Sequence, residues 1–160
     1  ISFIIYKFNL MKLARIKKLI FLNLQQSHWL SRTSRTRFVR WAGVNISQCK
    51  DVRIGQGCIF DTTYPEDIII KSGAHIGPRC IILTHFKNPK KLGLDTASGG
   101  YDYGKVIIGE HAWIGACSVI CKSVTIGKGA IIGACSVITK DIPDYEVWAG
   151  NPARFIRKRL

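Results

Sequence analysis

From about residue 44 the apolar residues follow neither the 3.6 spacing of a helix nor the alternation of a half-buried strand. They recur every six positions. Ile108, Ile114, Ile120, Ile126, Ile132 and Ile138 form one unbroken run, and Ile54, Phe60, Ile70, Ile76 and Ile82 form an earlier one. Glycine often follows the anchor, as in Ile108-Gly109 and Ile114-Gly115. A second register lies four residues past the anchors: Cys58, Ala74, Cys80, Ala112, Ser118, Val124, Ala130 and Ser136. Only Val124 in that set is larger than a cysteine. One bulky aliphatic and one small residue per six predict short strands separated by tight bends. Three hexads close a triangular turn of eighteen residues, and successive turns stack as parallel strands about 4.8 Å apart. The aliphatic fills the interior and the small residue fits beside the bend. The glycine relieves backbone crowding or supplies a positive φ. Residues eighteen apart then lie over one another, so Gly115 meets Gly133, Ala116 meets Ala134 and Cys117 meets Cys135. Such small residues leave a smooth groove along one edge, suited to a long thin ligand.

The ladder is interrupted twice. Four extra residues intrude between Phe60 and Ile70, and residues 84–105, THFKNPKKLGLDTASGGYDYGK, leave it altogether. Loops of that length inside a compact repeat are usually functional or disordered. The expected organisation is therefore a basic helical segment over 1–43, a hexad β-helix over 44–141 with its excursion at 84–105, and an extension over 142–160 carrying a short basic helix. In the first segment Leu13, Ile16, Ile20 and Leu24 recur at helical spacing among Lys12, Arg15, Lys17 and Lys18. That pattern reads as a cap packed on the end of the coil, as a basic amphipathic segment on an anionic membrane surface, or as both. The run ISFIIY is too short to span a bilayer and IKKLIFLNL is broken by charge, so no transmembrane helix is expected. The chain opens on Ile1, and Met11 is a candidate native start.

Charge changes the picture at the two ends. The formal net charge is +14, and residues 7–40 with the last seven hold more than half of the basic side chains and no acidic ones. Such ends call for anionic partners. The ladder between them carries no aromatic-studded basic motif, so nucleic acid is not expected. The six cysteines, Cys49, Cys58, Cys80, Cys117, Cys121 and Cys135, form no C-x-x-C pair and no zinc-spaced cluster, and read as reduced thiols. Without a signal peptide, the expected location is the cytoplasm, extending to the inner membrane surface through the basic N-terminus.

Of the four histidines, His85 stands at the root of the excursion, directly after the aliphatic run and Thr84. A rigid coil edge overhung by a loop makes a cleft, and His85 points into it or is an ordinary partly buried histidine. His28, His75 and His111 have no such position. None of the four lies within six residues of another, so a metal is not expected.

The stretch WIGACSVICKSVTIGKGAIIGACSVITKDIPDYEVWAGNPARFIRK resembles the C-terminal half of the maltose, galactoside and polysaccharide O-acetyltransferases of the left-handed β-helix class. The WIG step, the ITKDIP exit and the AGNPAR-x-I-R ending stand in that family's order and spacing. The likeness covers about residues 44–160, and left-handedness comes from it alone, since parallel crossovers are otherwise right-handed. The resemblance implies an acetyl-CoA-dependent O-acetyltransferase with no metal. His85 matches the family's general base, and Ala116 the backbone N–H facing the oxyanion. Ala116, Ala134, Thr139 and Lys140 match positions lining the pantetheine arm and adenine end of coenzyme A. Arg154 and Arg157 match the residues meeting its phosphates, which guanidinium groups suit. Asp61 matches an acceptor-pocket position, where it binds a sugar hydroxyl, orients an imidazole or is a plain turn residue. Trp113 matches an aromatic near the base, with core filling the alternative. The family is trimeric with active sites between subunits. Its maltose and galactoside members have a different N-terminal domain, and FDTTYP looks more like the polysaccharide-biosynthesis members. The expected acceptor is a sugar hydroxyl of a surface glycan, with an amine or a small non-sugar acceptor (amino sugar, serine, antibiotic) as the alternative.

Overall fold

In a computed structural model of the chain, residues 13, 16–27, 30–48, 50–88 and 100–160 are described. The tip of the excursion, the start of the chain and Cys49 lie outside them. Sixteen strands, β1 to β16 in chain order, are present among the described residues. Face 1 stacks β1 (Asn45–Ile46), β4 (Ile68–Ile70), β9 (Val106–Ile108) and β12 (Val124–Ile126). Face 2 stacks β2 (Arg53–Ile54), β5 (His75–Ile76), β10 (Trp113–Ile114), β13 (Ile131–Ile132), β15 (Glu146–Gly150) and β16 (Ala153–Lys158). Face 3 stacks β3 (Ile59–Phe60), β6 (Ile81–Ile82), β11 (Val119–Ile120) and β14 (Val137–Ile138). The chain runs from face 1 to face 2 to face 3 and back, and every pairing in this stack except β15 with β16 is parallel. A final pair, β7 (His85–Lys87) and β8 (Tyr101–Tyr103), forms a separate antiparallel hairpin at the root of the excursion.

The hexad reading is realised in the register. Ile114 pairs with Ile132 and Ile120 with Ile138, eighteen residues on. Phe60 pairs with Ile82 and Ile82 with Ile120, so the two insertions are looped out without disturbing the stack. All the anchors, and all eight residues of the small register, are buried. The β-branched anchors suit the pleat, and each one packs against the anchors of the coils above and below.

The glycine after the anchor serves close approach, and positive φ falls two positions later. Gly57, Gly73, Arg79, His111, Cys117, Ser123, Gly129 and Cys135 all have φ between 54° and 72°. A Cβ on Gly109 would stand 2.7 Å from the Ile126 carbonyl oxygen and from the Gly127 carbonyl carbon. Those are backbone atoms of the next coil and cannot swing aside.

Both open ends of the solenoid are covered. Helix α1 over residues 16–24 and helix α2 (Arg32–Trp41) lie across the first coil. Ser31 caps α2 by accepting from the Ser34 N–H. Buried Arg35 donates to the carbonyls of Gln25, Leu30 and Ile54, and Thr36 to that of Val52. The Val52 and Ile54 carbonyls of the end coil are thereby satisfied. At the other end the expected basic helix is replaced by the β15–β16 hairpin, which extends face 2. The reason is the free edge of β13, whose unpaired backbone groups pair more favourably with an extended segment than they would be covered by an isolated short helix. The turn Gly150-Asn151-Pro152 reverses the chain, and Trp148 is buried behind it.

Because the Gly109 contact is to backbone, Gly109→Ala is expected to lower unfolding stability by about 2 kcal/mol. Urea denaturation checks this, and an unchanged midpoint would contradict the close-approach account.

Candidate active site

Both insertions leave the coil at the same edge, the one between faces 3 and 1, because each follows a face-3 strand. The first begins at Asp61 after β3 and the second at residue 83 after β6. Since β3 and β6 are hydrogen-bonded neighbours, the two loops emerge one above the other. The Asp61 N–H donates to the Ile82 carbonyl at 3.0 Å, and this brings the Asp61 side chain under Thr84 and His85.

The resulting cluster is tightly bonded. Asp61 Oδ2 lies 2.6 Å from His85 Nδ1 and accepts from the Thr84 N–H at 2.9 Å and the Thr84 hydroxyl at 2.7 Å. Asp61 Oδ1 accepts from the Thr63 N–H at 2.9 Å, closing an Asx turn. The Asp61 side chain is 1% exposed and that of His85 26%. Burial pushes the Asp61 carboxyl up, but the Thr63 N–H, the Thr84 hydroxyl and N–H and the His85 ring outweigh it, so the group titrates below its ordinary value. A carboxylate only accepts, so the shared proton belongs to the imidazole. His85 is held as the Nδ1–H tautomer with Nε2 left for chemistry.

Two tyrosines stand against the imidazole, and a third packs on one of them. The Tyr101 and Tyr103 rings lie 5.4 and 6.0 Å from it between centroids, and Tyr64 packs edge-on against Tyr103 at 5.0 Å. The hairpin carrying Tyr101 and Tyr103 is closed by Asn88 donating to Asp102 at 2.7 Å. Sequence reasoning missed Thr84 as a bonding partner and missed all three tyrosines. Their signal was present: YDY alternates with strand parity on the return limb of the excursion, and Tyr64 sits in the first insertion.

Apart from Asp61, the other expected residues lie elsewhere on the prism. Asp61 is brought to His85, with both carboxylate oxygens engaged by the chain itself. Trp113 stands 56% exposed on face 2, so it is not core filling, and it is not on the edge that carries His85. Ala116 and Ala134 lie on the edge between faces 2 and 3. With Gly77, Pro78, Trp113 and Gly133 they line a groove of about 440 Å³. Thr139 and Lys140 follow β14 at the C-terminal end of the coil, where Lys140 Nζ sits 5.1 Å from the Trp148 ring centre. Arg154 and Arg157 are exposed on β16. Among the described residues no three His, Cys, Asp or Glu side chains converge as metal ligands.

Residues 105–140 match the model of the bacterial transferase hexapeptide family, six repeats. The solved structure of a maltose O-acetyltransferase from Clostridium difficile 630 is similar at 25% identity, covering 93% of this chain and 86% of that one, with a TM-score of 0.67. A hexapeptide-repeat acetyltransferase from Vibrio cholerae, solved with acetyl-coenzyme A, shares the fold at 21% identity, 93% and 88% coverage and a TM-score of 0.70. A chloramphenicol acetyltransferase from Agrobacterium fabrum is 40% identical over 76 residues, which are 47% of this chain and 36% of that protein. The chain thus spans about a third of the length of that relative. Residues 105–140 thus carry the hexapeptide repeat of that family, and the whole fold is similar to the left-handed β-helix of these acetyltransferase structures.

The Asp61 carboxyl has a depressed value in the folded state, so its contribution to stability is fully present above the ordinary carboxylate value and is lost as pH falls through the folded one. Asp61→Asn is expected to cost about 2 kcal/mol at pH 7. The gap from wild type should hold above about pH 5 and close on acidification. Urea melts of both proteins across that range check it, and a gap that stays constant to strongly acid pH would contradict the assignment.

Proposed function

We propose that the chain is an acetyl-CoA-dependent O-acetyltransferase that moves an acetyl group to a sugar hydroxyl, in surface polysaccharide biosynthesis, with His85 as general base. The observation that carries this reading is the Asp61–His85 pair, a buried carboxylate holding one nitrogen of a partly exposed imidazole. His85 Nε2 takes the proton of the acceptor hydroxyl as the oxygen attacks the thioester carbonyl. The tetrahedral intermediate then collapses, the C–S bond breaks, and the imidazolium returns its proton to the departing thiolate. Asp61 is a positioning residue that keeps the tautomer and stabilises the imidazolium. The Ala116 N–H is the proposed oxyanion donor. Tyr64, Tyr101 and Tyr103 are the side chains an acceptor would meet beside the base, in place of the direct Asp61 contact considered from sequence.

His85 and the Ala116–Ala134 groove lie on different edges of one prism. A base and a coenzyme groove on separate edges support a site completed by a second copy of the chain, and the family likeness supports a trimer. Thr139, Lys140, Arg154 and Arg157 gather toward the C-terminal end, where they are proposed to meet the adenine and phosphates. The partial match to a chloramphenicol acetyltransferase favours a second reading of the acceptor, as a small antibiotic hydroxyl. The acceptor panel that tests the proposal therefore includes chloramphenicol beside nucleotide- and lipid-linked sugars.

His85→Ala is expected to lower thiol release from acetyl-coenzyme A by about 100-fold or more in a protein that remains folded, with a melting temperature somewhat lowered by the loss of the Asp61 bond. Near-wild-type turnover would overturn the mechanism. Shared sites make a separate prediction. His85→Ala and Ala134→Trp, each inactive alone, should recover activity when co-assembled, toward about a quarter of wild type for random mixing in a ring. No recovery in a verified mixed assembly would place base and groove in one chain.

A further inference from the structure

Helix α1 is turned the wrong way round for a soluble protein. Its inward face carries Leu22, buried, Gln25, donating to the Cys58 carbonyl at 2.8 Å, and Lys18, paired with Glu66 at 2.9 Å. Its outward face carries Ile16, Ile20 and Leu24, with Leu13 before them and Leu19 at the flank. These five side chains are between 41% and 65% exposed. An ordinary amphipathic helix packs such a stripe against the core. Here the polar residues hold the helix down and the apolar stripe is presented outward, contiguous along the helix rather than scattered.

Two further features border that stripe. Phe21 flanks it and packs on Phe38 and Trp41, with ring centres 5.8 and 5.5 Å away, and Trp41 is itself largely exposed. A tryptophan with one side packed and the other in water is the side chain that settles at a lipid headgroup boundary. The charge around it is mainly positive, with Glu66 taken up by Lys18. Lys17 lies over the Phe21 ring at 5.9 Å, and Arg37 and Arg40 are exposed on α2. In the sequence, ten Lys and Arg precede the first acidic residue, Asp51. No described helix is long and apolar enough to cross a membrane.

We infer that α1 and the adjoining end of α2 dock the protein on an anionic lipid surface, with Leu13, Ile16, Ile20 and Leu24 entering the acyl boundary and the surrounding cations meeting lipid phosphates. Apolar burial and electrostatic attraction act together in this mode. Charge complementarity decides between a bilayer and a second copy of the chain. A symmetric helix–helix contact would set one uniformly basic segment against another, whereas an anionic leaflet neutralises it. The inference stands apart from the reaction proposed above, because it concerns the N-terminal cap and not the Asp61–His85 edge.

The test is sedimentation of the full chain with vesicles of phosphatidylcholine alone and of phosphatidylcholine containing phosphatidylglycerol. The wild type should pellet with the second and not the first, and salt should weaken the binding. The triple variant Ile16→Gln/Ile20→Gln/Leu24→Gln replaces exposed side chains and should keep the wild-type melting temperature. It should bind the anionic vesicles more than tenfold more weakly, with turnover on a soluble acceptor unchanged. Equal recovery on the two vesicle types, undiminished binding by the triple variant, or chain association through α1 that the variant abolishes in the absence of lipid binding would each overturn the proposal. A variant that misfolds is replaced by Lys17→Glu, for which loss of anionic binding supports the inference and retention opposes it.

Discussion

The parallel hydrogen bonds between coils hold each residue over the one eighteen positions later, and the rest of the molecule follows from that constraint. A strand of two or three residues has almost no stability alone. It persists because each coil satisfies the backbone of its neighbours and adds one isoleucine per face to a continuous apolar column. Bends must then recur at fixed intervals, with a left-handed residue at each one. Non-glycine residues such as Arg79, His111 and Cys117 occupy that conformation because the stack on either side over-determines it.

The same constraint builds the Asp61–His85 pair. An insertion can leave a stacked coil only at an edge, and two insertions following adjacent strands of one face must leave at one edge. Asp61 and His85, separated by twenty-four residues, are therefore brought into contact by the register of Phe60 with Ile82 and not by either loop. The rigid edge also makes a buried carboxylate tolerable. Its donors are the N–H groups of Thr63 and Thr84, the Thr84 hydroxyl and the His85 ring, which converge at the coil edge, so the ion is solvated by fixed dipoles when the water is gone.

How much of this was legible depends on the range of the interaction. The hexads, the buried small register and the excursion could be read because they are periodic or break a period. His85 was found for the second reason. The bond from His85 to Asp61 was open in the sequence as one of three roles for Asp61. Aligning the hexads across the four-residue insertion would have selected it, since Phe60 then falls under Ile82. The three tyrosines and the terminal hairpin were harder. Tyr64 and Tyr103 meet only because two irregular segments fold against each other, and no period governs that. The extension over 142–160 reads as one carrying a short basic helix when its basic tail is judged by itself. What decided its conformation was the edge of β13, a partner distant in sequence.

A stack also has two ends, and their needs differ from those of its edges. Each end exposes carbonyls and an apolar column that no further coil will cover. The C-terminal end is closed by more of the same structure, a hairpin on face 2 with Trp148 behind it. The N-terminal end is closed by helices, whose backbones are already satisfied and can offer only side chains. That is why Arg35, Thr36 and Gln25 point inward and are spent on carbonyls. Polar side chains used as anchors leave the apolar side chains of α1 on the other side of the helix. The outward stripe is thus a consequence of how a solenoid end has to be capped, and Lys17, Arg37 and Arg40, in a stretch of sequence with no acidic residue before Asp51, suit it to an anionic surface.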